Sequence, residues 1–452
     1  MTAASGWVAD RQFRWLTAGL VLVSLWLLEL PDGLSWATVG RPDADADGNN
    51  LIAKLQWLPL FGLGALLMLS RFRLGMALLP HLNPFLLLLV LWVVASSLWS
   101  YDASLSLRRA IKVVGVLLIC WGVVLACWDY GRYERLLRWG MLALLLASLL
   151  FLLLKPRLGI HQSDESEPLL AGSWRGLTVH KNSFGALASL ATVFWTHALL
   201  TTERKAVAAF GLLICLVCLI GARSSTALVC ALASIALMLA GLKTRLVQRP
   251  GAFLLFAGAL FLVPLLWFVI LNGFPSIDEA LGPVTKLLGR DLTFTGRVPL
   301  WDALLDEIPQ HPWLGVGYQA FWGPPGTLSD AARAKAGWTS ANGHNGYLDT
   351  TNELGLIGLS LLLAAIAFDL RRAARLATLS ASVFALHTAV QFYQLVSNLS
   401  ETMFFRTISL TFMLTVLSSL HLARISLDLD LRRRHGDALT SASPPGVSHA
   451  HP

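Results

Sequence analysis

The sequence predicts an all-α polytopic membrane protein with about twelve transmembrane helices, and three observations carry that expectation. Hydrophobic residues fill 55% of the 452 positions and charged residues only 14%, against roughly a quarter charged in soluble domains; mean hydropathy is +0.62. Apolar runs about as long as a helix needs to cross ~30 Å of hydrocarbon recur along the chain. The connections between alternate runs are basic, as cytoplasmic loops are.

The runs lie near 15–30, 52–69, 82–99, 110–128, 136–154, 183–200, 206–222, 225–241, 252–271, 353–369, 377–396 and 404–423. The first follows "RQFR" without a small-residue cleavage site and has many siblings, so it reads as a retained helix rather than a signal peptide. With the N-terminus cytoplasmic, the connections on that side read "SRFR", "DYGRYERLLR", "TTERK", "LKTRLVQR" and "LRRAAR", followed by the tail "LRRRH". Every one is basic, which puts both termini inside. The net charge of +8 therefore reports topology and contact with anionic lipid, not nucleic-acid binding. Cys120, Cys127, Cys215, Cys218 and Cys230 all fall within the runs, and the CxxC of Cys215 and Cys218 sits in "LLICLVCLIG", where helix packing explains it.

This pattern divides the chain into nine spans over 1–271, a large outer loop over 272–352, three spans over 353–423, and a small, polar, Pro-containing tail over 424–452 that reads as disordered. A loop as long as 272–352 is usually functional. It contains "PLWDALLDEI", an amphipathic helix with Leu300, Leu304, Leu305 and Ile308 on one face and Asp302, Asp306 and Glu307 on another; such a helix lies along the membrane surface or lids a cavity.

Basic residues on the outer side oppose the topology signal. Arg108, Arg109 and Lys112 stand at the outer end of the fourth run; Arg175, His180 and Lys181 precede the sixth; Arg223 sits in the tight "IGARSSTAL" connection; and Arg290 and Arg297 open the long loop. Two readings stand for each arginine. One is pairing with Glu353, Glu401 or loop acids, or snorkelling to lipid phosphates. The other is convergence on an anionic, membrane-embedded substrate whose phosphate oxygens suit guanidinium donors, and for Arg223 and Arg297 the sequence favours it.

Four of the eleven histidines fall on the outer side: His161, His180, His311 and His344. His344 stands apart in "SANGHNGYLDTTNELGLIG", with Asn342 as a helix cap and Tyr347, Asp349 and Glu353 within two turns. Near carboxylates, a rim histidine is held in one tautomer and acts as a base near neutral pH; a structural or capping role is the competing reading. GxxxxGK[ST], GxSxG and HExxH do not occur in the chain. Asp43, Asp45 and Asp47 in "PDADADGNN" lack an EF-hand spacing and read as a solvated acidic loop rather than a metal site.

The ordered set "TGRVPLW", "HPWLGVGYQAFW" and "HNGYLDTTNELGLIG" running into a span, with an arginine in the outer turn before the eighth span, resembles the O-antigen ligase and polysaccharide polymerase family of bacterial inner-membrane glycosyltransferases. The likeness covers most of the chain. It implies a C-type glycosyltransferase-like fold with the large periplasmic loop between helices 9 and 10, an active site on the periplasmic face, and an undecaprenyl-pyrophosphate-linked glycan donor. It also implies metal-independent, inverting chemistry without a cofactor. Position by position, His344 matches the family's catalytic histidine, Arg297 the loop arginine and Arg223 the arginine at the outer membrane boundary. Arg108, Arg109 and Arg175 are the weaker pyrophosphate ligands.

On this reading Asp349 or Glu353 orients His344, and Phe321, Trp322 and Trp338 stack on sugar unless they pack the loop or anchor it at the interface. The acceptor is a lipid-linked repeat unit in a polymerase, which "GVGYQAFW" slightly favours, or lipid A–core in a ligase. Other membrane proteins of polysaccharide assembly are further partners. A lipid-linked sugar transporter is the alternative of a different class, but no internal repeat is visible, and the polar chemistry gathers in one loop rather than at mid-membrane.

Overall fold

The computed structural model describes residues 11–31, 34, 36, 51–126, 130–165, 170–202, 204–243, 258, 297–323, 326–337, 340–377, 380–406 and 409–434. Among these the chain is helical, with one isolated bridge between Ile160 and Trp174. The helices are α1 (Arg11–Glu29), α2 (Leu51–Ser70), α3 (Phe72–Leu78), α4 (Pro84–Ala95), α5 (Ala103–Ala126), α6 (Tyr130–Leu154), the single turn α7 (Pro156–Gly159), α8 (Lys181–Thr201), α9 (Lys205–Ala222) and α10 (Ser225–Lys243). They continue as α11 (Val298–Glu307), α12 (Ser329–Ala336), α13 (Gly346–Leu376), α14 (Ala381–Ser397) and α15 (Leu410–Arg434).

Seven of them are long and apolar enough to cross a membrane, and up to eight if the pair α2 and α3, bent by 86°, is one span. The expected span at 252–271 lies outside the described residues except for 258; each of the other expected spans falls on a helix, and the last of them continues to Arg434, so residues 424–434 of the tail expected to be disordered are helical. Helix starts follow local capping chemistry. The Asn83 Oδ1 accepts from Phe85 N and Leu86 N at 3.1 and 3.2 Å, with Pro84 at the first helical position, where a missing N–H costs nothing. The same side chain donates to the Ala365 carbonyl at 2.8 Å, tying α4 to α13.

α8 is buried along most of its length. Its small residues Gly185, Ala186, Ala188, Ser189 and Ala191 are buried, which lets α9 and α10 approach closely, as packing between membrane helices requires. Cys120, Cys215, Cys218 and Cys230 are free and buried in helix interiors, as the apolar context of the CxxC predicts; Cys127 lies outside the described residues.

The tenth expected span departs from the sequence expectation. Its helix begins at Gly346 rather than near 353 and breaks at Gly355, where φ is 69° and ψ −177°, a conformation open to glycine and strained for other residues. The loop 312–317 is inserted at the break and satisfies its backbone. Leu356 N donates to Pro312 O at 2.8 Å, while Val316 N and Gly317 N donate to Asn352 O and Glu353 O at 3.0 and 2.9 Å. Trp92 Nε1 adds a bond to Leu354 O at 3.0 Å. Irregular backbone at membrane depth is tolerated where protein meets its polar groups in this way.

The expected apolar face of the "PLWDALLDEI" helix needs one correction. Leu300 and Leu304 are fully buried and Trp301 is 6% exposed, whereas Leu305 is 55% exposed. The face that packs is the one carrying Trp301, which fills a small core with Val316, Phe321, Trp322 and Ala332. α11 thereby braces the start of α13.

Candidate functional site

Residues 340–345 form a tight turn that ends in a cap. Asn345 Oδ1 accepts from Tyr347 N and Leu348 N at 3.0 and 3.1 Å and starts α13; Asn342, the cap expected from sequence, instead accepts His344 N at 2.9 Å. His344 adopts φ 49°, the left-handed region, which costs a non-glycine residue about 1 kcal/mol or more and persists where the surroundings over-determine it.

Those surroundings hold the turn on both sides of His344. The Gly343 carbonyl accepts from Trp301 Nε1 at 2.8 Å, and Gly343 N donates to Asp349 Oδ2 at 2.8 Å. Asp349 also accepts from Trp322 Nε1 at 2.8 Å and from the Thr402 hydroxyl. On the far side, Gly346 N donates to the carbonyls of Asn398 and Glu401 at 2.9 and 3.1 Å. A side chain at 346 would collide with Asn398, since a Cβ would stand 2.0 Å from its Oδ1.

The carboxylate against the His344 ring is Glu401, with Oε2 3.2 Å from Nδ1. The expectation that Asp349 or Glu353 orients the ring is therefore corrected: Asp349 clamps the backbone beside it, and Glu353 lies with Arg109, Arg406 and Tyr318. The reason is helical geometry. Positions 349 and 353 share a face one turn apart, and that face meets the 318–322 and 402–406 segments.

The other oxygen of Glu401 accepts from Arg297 Nη2 and Asn182 Nδ2, each at 2.9 Å. Burial pushes the Glu401 carboxyl up, but Arg297 and the His344 hydrogen bond, with the charges of His344 and His180, outweigh it and hold the group down at about 2. It is an anion at neutral pH.

The expected arginines separate. Arg297 donates through Nη1 to the Ser400 carbonyl as well as to Glu401, and its side chain is 20% exposed. Arg223 caps α9 in the left-handed region, φ 47°. Its guanidinium lies beside Gly172, where a Cβ would approach Nη1 to 3.2 Å, and its carbonyl accepts from Lys181 Nζ at 3.3 Å. The next residue, Ser224, donates to Asn182 Oδ1 at 3.4 Å, and Thr226 bonds Ser400 Oγ at 3.0 Å. The Arg223 turn rests on the start of α8 and on Ser400, and Arg297 is bonded to Ser400 and Glu401, so the 398–402 segment holds both.

Arg175 is corrected. It is 2% exposed and committed to Glu165 by two bonds of 2.8 and 2.7 Å and to the Leu158 carbonyl at 2.6 Å, so it braces the loop before α8. In the same loop His161 receives Lys181 N on Nε2 at 3.2 Å and faces Glu165 through Nδ1 at 3.1 Å. Burial, with the charges of His180 and Arg175, lowers it to about 4. Arg108 bonds Ser104 one turn back, and Arg109 bonds the Gln319 carbonyl.

Phe321 and Trp322, at 2% and 6% exposure, are core residues of the loop rather than open stacking surfaces. Trp338, like Asp43, Asp45 and Asp47, lies outside the described residues.

The sequence reading named Glu401 only as a partner for an outward arginine, and Arg406 not at all. The signal available for Glu401 was the polar stretch "SNLSET" between the last two apolar runs, and for Arg406 its being a charge inside the last run.

Comparison with known proteins bears on the same region. A family model described as O-antigen ligase matches residues 208–363, an interval that holds Arg223, Arg297 and His344 and stops before Glu401. Over 293 residues the chain is 30% identical to the exopolysaccharide production protein ExoQ of Rhizobium meliloti (strain 1021), an alignment covering 60% of this chain and 62% of that protein. The chain thus spans about 62% of the length of the curated relative it matches.

Proposed function

Starting from a multi-pass membrane chain whose residues 208–363 match a family model described as O-antigen ligase, we propose that it is a glycosyltransferase moving a glycan from undecaprenyl pyrophosphate to an acceptor sugar hydroxyl. The supporting observation is the meeting of a histidine and an arginine on one buried carboxylate, His344 and Arg297 on Glu401.

Such a transfer asks for a base and for positive charge. His344 takes the acceptor proton as the acceptor oxygen bonds to the anomeric carbon. The bond from that carbon to the pyrophosphate oxygen breaks, its electrons leave with the pyrophosphate, and attack from the opposite face inverts the centre. Pyrophosphate needs no proton if its charge is met. Arg297 uses one N–H on Glu401 and one on Ser400, leaving the rest of its five donors for phosphate oxygens, and Arg223 supplies the second guanidinium. Arg109 is the reserve ligand, next to Arg406. No metal or cofactor enters this scheme.

The basic connections support a site on the periplasmic face of an inner-membrane protein with both termini cytoplasmic. The division into spans, a periplasmic loop over 272–352 and a cytoplasmic tail belongs to the same proposal. Grooves between the helices take the polyprenyl tail.

Likeness to an exopolysaccharide production protein favours repeat-unit polymerisation; the O-antigen ligase family match supports the second reading, transfer to lipid A–core. Purified protein with lipid-linked repeat units, with and without lipid A–core, separates them. Longer chains without core mark a polymerase, transfer that requires core marks a ligase, and wild-type transfer by His344→Ala removes the base assignment. Accumulation of translocated but untransferred donor in proteoliposomes would favour a transporter instead.

A further inference from the structure

The carboxylate hydrogen-bonded to the proposed base lies outside the family-matched interval. Glu401 lies in the turn between α14 and α15, and its backbone and neighbours are pinned from three directions. Gly346 N donates to its carbonyl at 3.1 Å, Thr226 bonds the preceding Ser400 Oγ at 3.0 Å, and Thr402 donates to Asp349. Asn398 anchors the turn itself by accepting from Met403 N and Phe404 N, each at 2.7 Å. A carboxylate serving only to neutralise Arg297 needs no such scaffold and no second partner.

We propose that Glu401 is the positioning residue of the site. It fixes His344 as the Nδ1–H tautomer, so that Nε2 carries the lone pair that takes the acceptor proton, and it ties Arg297 to the same carboxylate. This rests on the reading of His344 as the base.

The tautomer follows from chemistry. An ionised carboxylate only accepts hydrogen bonds, so a ring nitrogen 3.2 Å from Oε2 must donate, and Nδ1 carries the hydrogen. When Nε2 takes the hydroxyl proton the ring becomes a cation, and a fixed anion on its far side stabilises that cation as it forms. The groups facing Glu401 from the surrounding elements are Arg297 ahead of α11, His180 and Asn182 at the start of α8, Cys230 of α10 and Tyr393 of α14. Glu401 is the carboxylate among them.

One carboxylate shared between base and arginine also sets their separation. The hydroxyl proton and the departing pyrophosphate are on opposite sides of the anomeric carbon, and a rigid spacing between the groups that meet them raises the fraction of bound substrate ready to react.

The test is Glu401→Gln in proteoliposomes with a lipid-linked donor. The amide keeps an acceptor for Nδ1–H but loses the charge. We expect kcat to fall about 10²-fold, the donor KM to move far less, and the acid-side inflection of the pH–rate profile to shift to lower pH; Glu401→Asp should recover much of the rate. An unchanged kcat overturns the proposal, and so does a fallen kcat whose inflection stays in place, the signature of a structural role.

Should Glu401→Gln fail to fold in detergent, the ¹⁵N shifts of histidine-labelled wild type, with His344 assigned by difference from His344→Gln, decide the matter. Protonated Nδ1 supports the proposal, and protonated Nε2 overturns it. His344→Ala keeps the two claims apart. If it transfers sugar at the wild-type rate the base reading falls, whereas if it is inactive while Glu401→Gln behaves as wild type, only the positioning role falls.

Discussion

Adding one methyl group at Gly346 tests how tightly the His344 turn is held. A Cβ there would stand 2.0 Å from Asn398 Oδ1 and 2.7 Å from its Cγ, whereas carbon and oxygen rest about 3.3 Å apart, so something must move by about 1.3 Å. Asn398 is poorly placed to yield: its Oδ1 holds two backbone N–H groups at 2.7 Å, and its Nδ2 donates to the Gln394 carbonyl at 2.7 Å. The first turn of α13 therefore shifts away and loses the Gly346 N–H bonds to Asn398 and Glu401. An unsatisfied buried N–H costs about 1–3 kcal/mol, and a catalytic group displaced by about 1 Å loses on the order of 10²-fold in rate.

The assay is initial transfer rate from a lipid-linked donor, with thermal unfolding in detergent measured alongside. Gly62→Ala is the control, because a Cβ at Gly62 meets nothing within 4 Å, and it should leave both readouts near wild type. A Gly346→Ala protein with wild-type rate and unfolding temperature would refute the account of how the turn is held.

Trp322→Phe removes the donor 2.8 Å from Asp349; we expect transfer to fall roughly 10-fold with lowered thermal stability and unchanged sugar preference, whereas altered preference at full stability would restore the stacking role. Arg175→Ala takes both guanidinium bonds from half-buried Glu165 and leaves it His161 alone, which should cost about 2 kcal/mol in detergent unfolding, with the donor KM of the folded protein unchanged; a raised KM would return Arg175 to the phosphate ligands. Glu401 should make the fold acid-sensitive. Its carboxyl, held at about 2 against an ordinary 4.5, contributes stability that is full above about pH 4.5 and lost as pH falls towards 2, up to about 3 kcal/mol. Unfolding temperature against pH measures this, and Glu401→Gln should flatten that limb; an equally steep limb in the variant would remove Glu401 as its source.

Much of this molecule is legible in one dimension. Apolar runs place the helices because a segment without water to bond its backbone must bond it internally. The prominence of His344, Arg223 and Arg297 came from local composition and from an ordered set of motifs. The misses have local causes as well. Asn342 and Asn345 both suit a cap, and only the left-handed backbone at His344 chooses between them. Leu305 fits the helical period as well as Trp301 does, but the loop core at Phe321 and Trp322 lies on the tryptophan's side. Arg175 looked outward and open until Glu165, ten positions earlier, closed on it.

By itself the sequence determined that this chain crosses a membrane many times, and it pointed to a histidine and two arginines as the residues to watch. Hydropathy, charge and cap preference are properties of near neighbours in the chain, and they survive without a fold. Which carboxylate faces the histidine was decided only by tertiary structure. His344 and Glu401 are 57 positions apart, and Asn182 reaches the same carboxylate from the start of α8. Asp349 and Glu353, nearer in sequence, are turned by the helix toward the face away from the ring, so proximity along the chain pointed to the wrong acid.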